Sequence, residues 1–277
     1  MKRGCSKRLA TGDKSAAKET RRYHGLRAMQ TRINWNRMLA AITTTGAAIG
    51  LGVGVCVYAS IAPESQLFGR TVVAGRHVAE LALTFDDGPN DPWTGHLLDV
   101  LARHDVRATF FLIGKYVRLR PELVREIRDA GHLIGNHTVT HPWLAVQSAW
   151  RVREELAGCN AALEDVLGQP VRFFRPPHGS RRPEVLRAAL ELGLTAVMWN
   201  AMGYDWRLNA TADTIAAHLE RGIVRNRRRG RSSNLLLHDG GHLDFGAERS
   251  QSVEAARLIL ARHKPGDKRY VTVDAWA

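Results

Sequence analysis

The chain has 277 residues but only three cysteines, Cys5, Cys56 and Cys159. Cys159 is alone in the part that reads as globular, so no disulfide forms within it. A domain of this size buries enough core without such staples. There is no internal repeat, which excludes solenoids and propellers. No G-x-G-x-x-G follows a strand-like run, so a dinucleotide site has no support. Positive excess is also missing from most of the chain. Of the formal net charge of +13, residues 1–37 carry +9, from eleven Lys/Arg against two Asp/Glu. The remainder, 29 basic against 25 acidic, is close to balance, which argues against nucleic acid as a partner of the folded part.

Charge is absent altogether from Met38 to Ala62, MLAAITTTGAAIGLGVGVCVYASIA. As a helix this run spans roughly 37 Å, against about 30 Å of bilayer hydrocarbon. Trp35 and Tyr58 sit where interfacial aromatics sit. The basic excess before the run predicts residues 1–37 in the cytoplasm and everything after Ala62 outside. Two alternatives stand: a single-pass signal anchor in the inner membrane, or a signal peptide whose cleavage releases a secreted protein. Ser60-Ile61-Ala62 has the small-x-small form of a cleavage site, although Pro63 after it is unfavourable. The expected organisation is a basic tail at 1–37, an anchor at 38–62, a linker at 63–78 and one domain at 79–277. Oligomeric state is not legible.

Within that domain strand-like and helix-like runs alternate. β-rich apolar runs occupy 80–86, 107–113, 132–136, 171–175, 194–199, 234–238 and 270–274. Helical periodicity occupies 93–104, 120–130, 146–167, 182–192, 211–224 and 248–263. Alternation of this kind implies parallel βα units with right-handed crossovers. Seven strands predict an α/β fold, a distorted (β/α)7 barrel one unit short of closure. Chemistry in such barrels belongs at the C-terminal ends of the strands. The unusual polar residues gather there: Asp86-Asp87, His137 and His141, Arg175, Asp205-Trp206 and His238-Asp239.

Asp86 and Asp87 in TFDDGP repel one another, and burial would neutralise one. A cation removes the conflict: one carboxylate binds it and the other stays free as a base. Asp-Asp-Gly-Pro is equally good turn chemistry. HTVTHP places His137 and His141 four apart, one face of a helical turn, so both imidazoles can reach one ion; two surface histidines ahead of a helix is the plainer alternative. In FRPPHG, Arg175 can grip a carboxylate through paired hydrogen bonds. The proline-stiffened loop after it can present a backbone N–H to an oxyanion. LLLHDG ends a buried strand on His238, a general acid or a satisfied core histidine.

These blocks, in this order, resemble the polysaccharide deacetylase family, the chitooligosaccharide-deacetylase homology domain or carbohydrate esterase family 4, from about Val78 to Val273. The resemblance implies metal-dependent removal of N-acetyl groups from a sugar polymer. It implies Asp86 as base, and Asp87, His137 and His141 as ligands of a divalent ion, zinc foremost, with cobalt, nickel and manganese compatible. It makes Arg175 the group that steadies the base and the His178 N–H the oxyanion donor. Asp205 tunes the acid His238, while Trp206 and Leu236 wall the acetyl pocket. Two departures stand out: relatives usually carry Tyr where this chain has His178, and many carry Asp where it has Met202. The implied substrate is an acetylated glycan, peptidoglycan first because an outward-facing tethered enzyme meets it first. Chitin-type oligosaccharides, a lipid-linked sugar and a non-catalytic glycan-binding role are the alternatives. The basic stretch RGIVRNRRRGR at 221–231 is either a grip for an anionic polymer or lipid phosphates, or a solvated loop.

Overall fold

The computed structural model of the chain describes residues 50–277. Residues 1–37 and the first half of the expected anchor, 38–49, lie outside the described residues. Residues 50–61 are helical. Among the described residues no helix is long and apolar enough to cross a membrane.

β1 (Glu80–Asp86) reads ELALTFD and every residue of it is buried. A run without Gly or Pro, rich in Leu, Phe and Thr, suits a strand covered on both faces. Around it lie β2 (Thr109–Leu112), β3 (Leu133–Asn136), β4 (Phe173–Phe174), β5 (Thr195–Ala196), β6 (Ala201–Met202) and β7 (Ser233–His238). They run in the spatial order β5-β4-β3-β2-β1-β7-β6, all parallel. β8 (Arg269–Tyr270) pairs with Glu80 and Leu81, below β2, which begins its pairing at Thr84. The seven expected strands are all present, and the two-residue β6 is an addition. The crossovers are α1 (Trp93–Arg103), α2 (Gly114–Leu119), α3 (Pro121–Asp129), α4 (Ala149–Leu167), α5 (Pro183–Glu191), α6 (Ala212–Arg228) and α7 (Ser250–Arg262). Only α2, too short to show a period, has no counterpart in the sequence reading.

Strand alternation decides which side chains meet the site. Leu81, Leu83 and Phe85 belong to the large core shared with the helices. Ala82 belongs instead to a separate inner cluster with Phe111, Phe173 and Val197. Thr84 and Asp86 share the parity of Ala82, so the same period of two that fills the lumen delivers Asp86 to its upper rim.

The sheet does not close between β5 and β6. The gap is filled by the segment expected to be a linker. Val72 bridges Val197, and the Asn234 side-chain amide donates to the carbonyls of Val73 (3.1 Å) and Met198 (2.7 Å). Val72 and Val73, within the segment expected to be a linker, are therefore part of the barrel wall. Buried Arg181 secures the start of that segment, donating to the carbonyls of Ala62 (2.7 Å) and Ser65 (2.8 Å).

Candidate active site

Asp86 ends β1 and Asp87 follows in the left-handed region, at φ 74°. This turn lies directly under the loop after β7. A Cβ on Gly240 would stand 2.1 Å from the Asp87 carbonyl oxygen, so only glycine fits there. The two carboxylates thus leave the strand end in different directions, one towards the barrel axis and one towards the β3 loop.

Asp86 meets Arg175 from the end of β4. Arg175 Nη1 donates to Asp86 Oδ1 at 2.7 Å and to Thr84 Oγ1 at 2.8 Å. The guanidinium is wholly buried, with its carbon 4.3 Å from the centre of the Phe111 ring. Burial lowers its pKa, and Asp86 opposes that loss. The ion pair spends one oxygen of Asp86 and leaves Oδ2, 3.8 Å from His137 Nε2.

Asp87 meets the two histidines. His137 Nε2 is 3.4 Å and His141 Nε2 is 3.2 Å from Asp87 Oδ1. Donor atoms about 2.1 Å from a tetrahedral ion sit roughly 3.4 Å apart, so the spacing fits one cation. Four further facts support the fit. Asp87 Oδ1 is buried with no hydrogen-bond partner. His137 Nδ1 lies 2.8 Å from the Arg175 carbonyl, which can only accept; Nδ1 therefore carries the proton and Nε2 keeps its lone pair. Burial first, with the neighbouring His137 adding to it, pulls the His141 pKa down to about 2, so its ring is neutral. Burial alone would raise Asp87, but His137, His242, His141 and His238 hold its carboxyl well below the usual range. An ionised carboxylate and neutral imidazoles form the ligand state a divalent ion requires.

The expected helical turn through HTVTHP is not what brings the histidines together. Residues 137–142 form an irregular loop with Thr138 (φ 65°) and His141 (φ 64°) both left-handed. Glu155 on α4 holds it: Oε2 accepts from the N–H groups of Val139 and Thr140, each at 2.8 Å. The two rings converge because a buried carboxylate folds the loop, not because of a 3.6-residue period.

His238, at the end of β7, pairs with Asp205 beyond β6. Asp205 Oδ1 is 2.8 Å from His238 Nδ1, and Oδ2 accepts from the His238 N–H and from Ser252, each at 2.7 Å. Burial would lower the His238 pKa, yet Asp205, Asp87 and Asp86 outweigh it and push it up to about 9. Asp205 itself is held low against burial by His238 and Ser252. Trp206 stands edge-on to His238 at 5.2 Å.

One cavity of about 620 Å³ gathers eight of the ten expected residues: Asp86, Asp87, His137, His141, His178, Trp206, Leu236 and His238. The other two, Arg175 and Asp205, stand behind Asp86 and His238. His178 takes φ 56°, and its ring stacks on Trp143 at 4.0 Å. Burial and the neighbouring histidines lower its pKa to about 4.

A model of the family described as polysaccharide deacetylase matches residues 75–197. A chitooligosaccharide deacetylase from Sinorhizobium fredii is 38% identical over 208 residues, covering 71% of this chain and 92% of that protein. The chain belongs to the polysaccharide deacetylase family. Among solved structures, a peptidoglycan N-acetylglucosamine deacetylase in complex with a naphthalenyl N-oxidanyl-benzamide superposes with a TM-score of 0.66 at 33% identity, covering 74% of this chain and 91% of that one. A family 4 acetyl xylan esterase from Clostridium thermocellum, in complex with a cobalt ion, gives 0.62 at 30% identity, covering 71% and 89%. The polysaccharide deacetylase family consists of metal-dependent hydrolases acting on acylated carbohydrates, and this chain is such a carbohydrate deacetylase.

Two residues of this deacetylase site escape a motif-based reading, and a third, Asp239, is read at its strand end without a role. Glu155 sits on the buried face of α4, where a carboxylate amid apolar neighbours was the available signal. His242 stacks on His141 at 4.4 Å from a loop without periodicity. Asp239, in the quoted LLLHDG, is fully buried, and burial raises its pKa to about 7 although Thr94 donates to it at 2.5 Å.

Proposed function

We propose that the protein removes N-acetyl groups from N-acetylglucosamine units of a cell-envelope polysaccharide, peptidoglycan, as a membrane-tethered enzyme facing away from the cytoplasm. The observation that carries this is the pairing of opposites across one cavity. An Arg175-clamped carboxylate stands beside an ion-ready Asp87–His137–His141 set, and an Asp205-charged imidazole completes the rim.

Asp87, His137 and His141 hold the divalent cation, for which zinc is the ion we favour. When bound, it supplies Lewis acidity, lowering the pKa of water and polarising the acetyl carbonyl. Asp86 takes the proton from the attacking water through the oxygen that Arg175 leaves free. The N–H of His178, for which no intramolecular acceptor occurs among the described residues, donates to the developing oxyanion. Protonated His238 gives its proton to the departing amine nitrogen, and Asp205 keeps it charged until then. Trp206 and Leu236 exclude water around the acetyl methyl.

The tether is the uncharged run 38–62, preceded by the +9 tail. Arg181 holds its last residues against the domain: its guanidinium donates to the Ala62 carbonyl and its backbone N–H donates to the Ser60 carbonyl at 2.9 Å. Residues 38–58 remain to span, about 20 being enough. Chitin-type oligosaccharides are the second substrate reading, favoured by the Sinorhizobium relative. Acetate release by the detergent-solubilised full chain tests both: peptidoglycan fragments and chitin oligosaccharides are compared with and without chelator. Release from neither substrate contradicts the proposal and favours a glycan-binding role.

A further inference from the structure

The arginines of 221–231 are not one loop. They divide between the C-terminal half of α6 and the turn after it, and they have different partners. Arg229 and Arg231 face Glu64, at 3.7 and 2.6 Å. Arg225 donates to the Asn200 carbonyl. Arg221 has neither hydrogen bond nor carboxylate partner among the described residues.

Arg221 and Arg225, one helical turn apart, form one wall of a second cleft of about 540 Å³. Arg207 supplies a third positive charge, and His218, whose pKa burial and the neighbouring Arg221 and Arg207 lower, adds a neutral ring. The Arg207 guanidinium lies 4.2 Å over the Tyr204 ring, which restricts it before any ligand arrives. His218 packs edge-on against the same ring at 5.1 Å. Among the described residues the only carboxylate lining the cleft is Glu64, which already pairs with Arg229 and Arg231. Three arginines therefore face this space, and among the described residues none of them is paired with a carboxylate.

Positive charge near a helix C-terminus has an ordinary explanation in the helix dipole. It covers Arg225, Arg227 and Arg228 in the last turn of α6. It does not cover Arg221, well before the last turn, or Arg207, outside the helix. The cleft also adjoins the chemistry. Met202 lines both this cleft and the catalytic cavity. Tyr204, under Arg207, lies 5.6 Å from Trp206, which walls the cavity beside His238.

We propose that the cleft of Arg207, Arg221 and Arg225 is an anion subsite. It binds a phosphate or carboxylate carried by the glycan beside the sugar whose acetyl group is removed. This rests on the deacetylase reading above and specifies its substrate: a glycan with regularly placed oxyanions rather than a neutral one. The guanidinium forks match the paired oxygens of either group.

The test is a double variant, Arg207→Gln with Arg221→Gln, in the full-length metal-loaded enzyme. Three oligosaccharides of equal length serve as substrates: neutral, carboxylate-bearing and phosphate-bearing. The expected result is a KM raised about tenfold or more on at least one anionic glycan, with kcat unchanged and the neutral KM within about twofold. Which anionic glycan suffers more identifies the oxyanion. Equal change on neutral and anionic glycans, or no change on any, overturns the subsite. Calorimetric binding of the deacetylated forms of the same three glycans requires no turnover and separates the two claims. If turnover is absent but the variant loses anion-selective binding, the cleft stands and the deacetylase reading falls. If binding ignores the anion in both proteins, the subsite falls whatever the turnover.

Discussion

Arg175 serves Asp86 and His137 through different atoms: its Nη1 donates to Asp86 Oδ1 at 2.7 Å, while its carbonyl accepts from His137 Nδ1 at 2.8 Å. The side chain therefore governs the proposed base, and the main chain governs one proposed ligand. Arg175→Met should lower kcat by about 10²-fold or more while leaving bound metal close to wild type. Acetate release and metal analysis on the same preparation check this, with a thermal melt to confirm folding. Loss of metal along with activity would show that the two roles are not separable.

Asp205 sets the charge of His238. Its imidazole is pushed up to about 9, so it is protonated at neutral pH and loses that proton as pH rises through about 9. Activity that depends on the protonated form is present below that pH and falls above it. Asp205→Asn removes the partner that opposes burial, so the alkaline limb of kcat/KM should move to lower pH. A limb unchanged in the variant would assign it to some other group.

His132 predicts an acid weakness unrelated to catalysis. Burial, with Arg107 adding to it, lowers its pKa from 6.5 to about 4. Its Nδ1 accepts the Ala108 N–H at 3.1 Å, which a protonated Nδ1 cannot do. The unfolded chain takes up this proton first. Stability is thus complete above about pH 6.5 and declines as pH falls through about 4, by roughly 2–3 kcal/mol after allowance for solvent screening. Urea melts at pH 7 and pH 4.5 should diverge less in His132→Gln than in wild type.

Glu155 holds the loop that carries His141. Glu155→Ala frees the N–H groups of Val139 and Thr140 and should weaken metal affinity by about 10–100-fold, as loss of groups supporting metal ligands does. Chelator competition measures this without reference to turnover. Unchanged affinity would mean that the loop keeps its shape without the carboxylate.

Much of this site was legible because barrel chemistry gathers at strand ends, and strand ends can be read where apolar runs stop. Asp86, His137, Arg175 and His238 were each found that way, and seven strand runs implied an incomplete parallel barrel. What stayed hidden depends on contacts distant in sequence. Nothing in HTVTHP reveals that its two histidines converge through left-handed residues pinned by Glu155. Residues 63–78 lack the strand period, and only the gap between β5 and β6 gives Val72 and Val73 a place in the barrel wall. His242 has no local pattern, because its stacking on His141 arises from the fold alone.

The central claim is that Asp87, His137 and His141 share one cation on which deacetylation depends. Metal content and acetate release, measured together on wild type and Asp87→Ala, test it most directly. The account predicts about one divalent ion per wild-type chain, lost in the variant, with activity reduced at least about 10³-fold and wild-type activity abolished by chelator and restored by zinc. A variant that keeps both its ion and its rate, or a stripped wild type that still releases acetate, would contradict it.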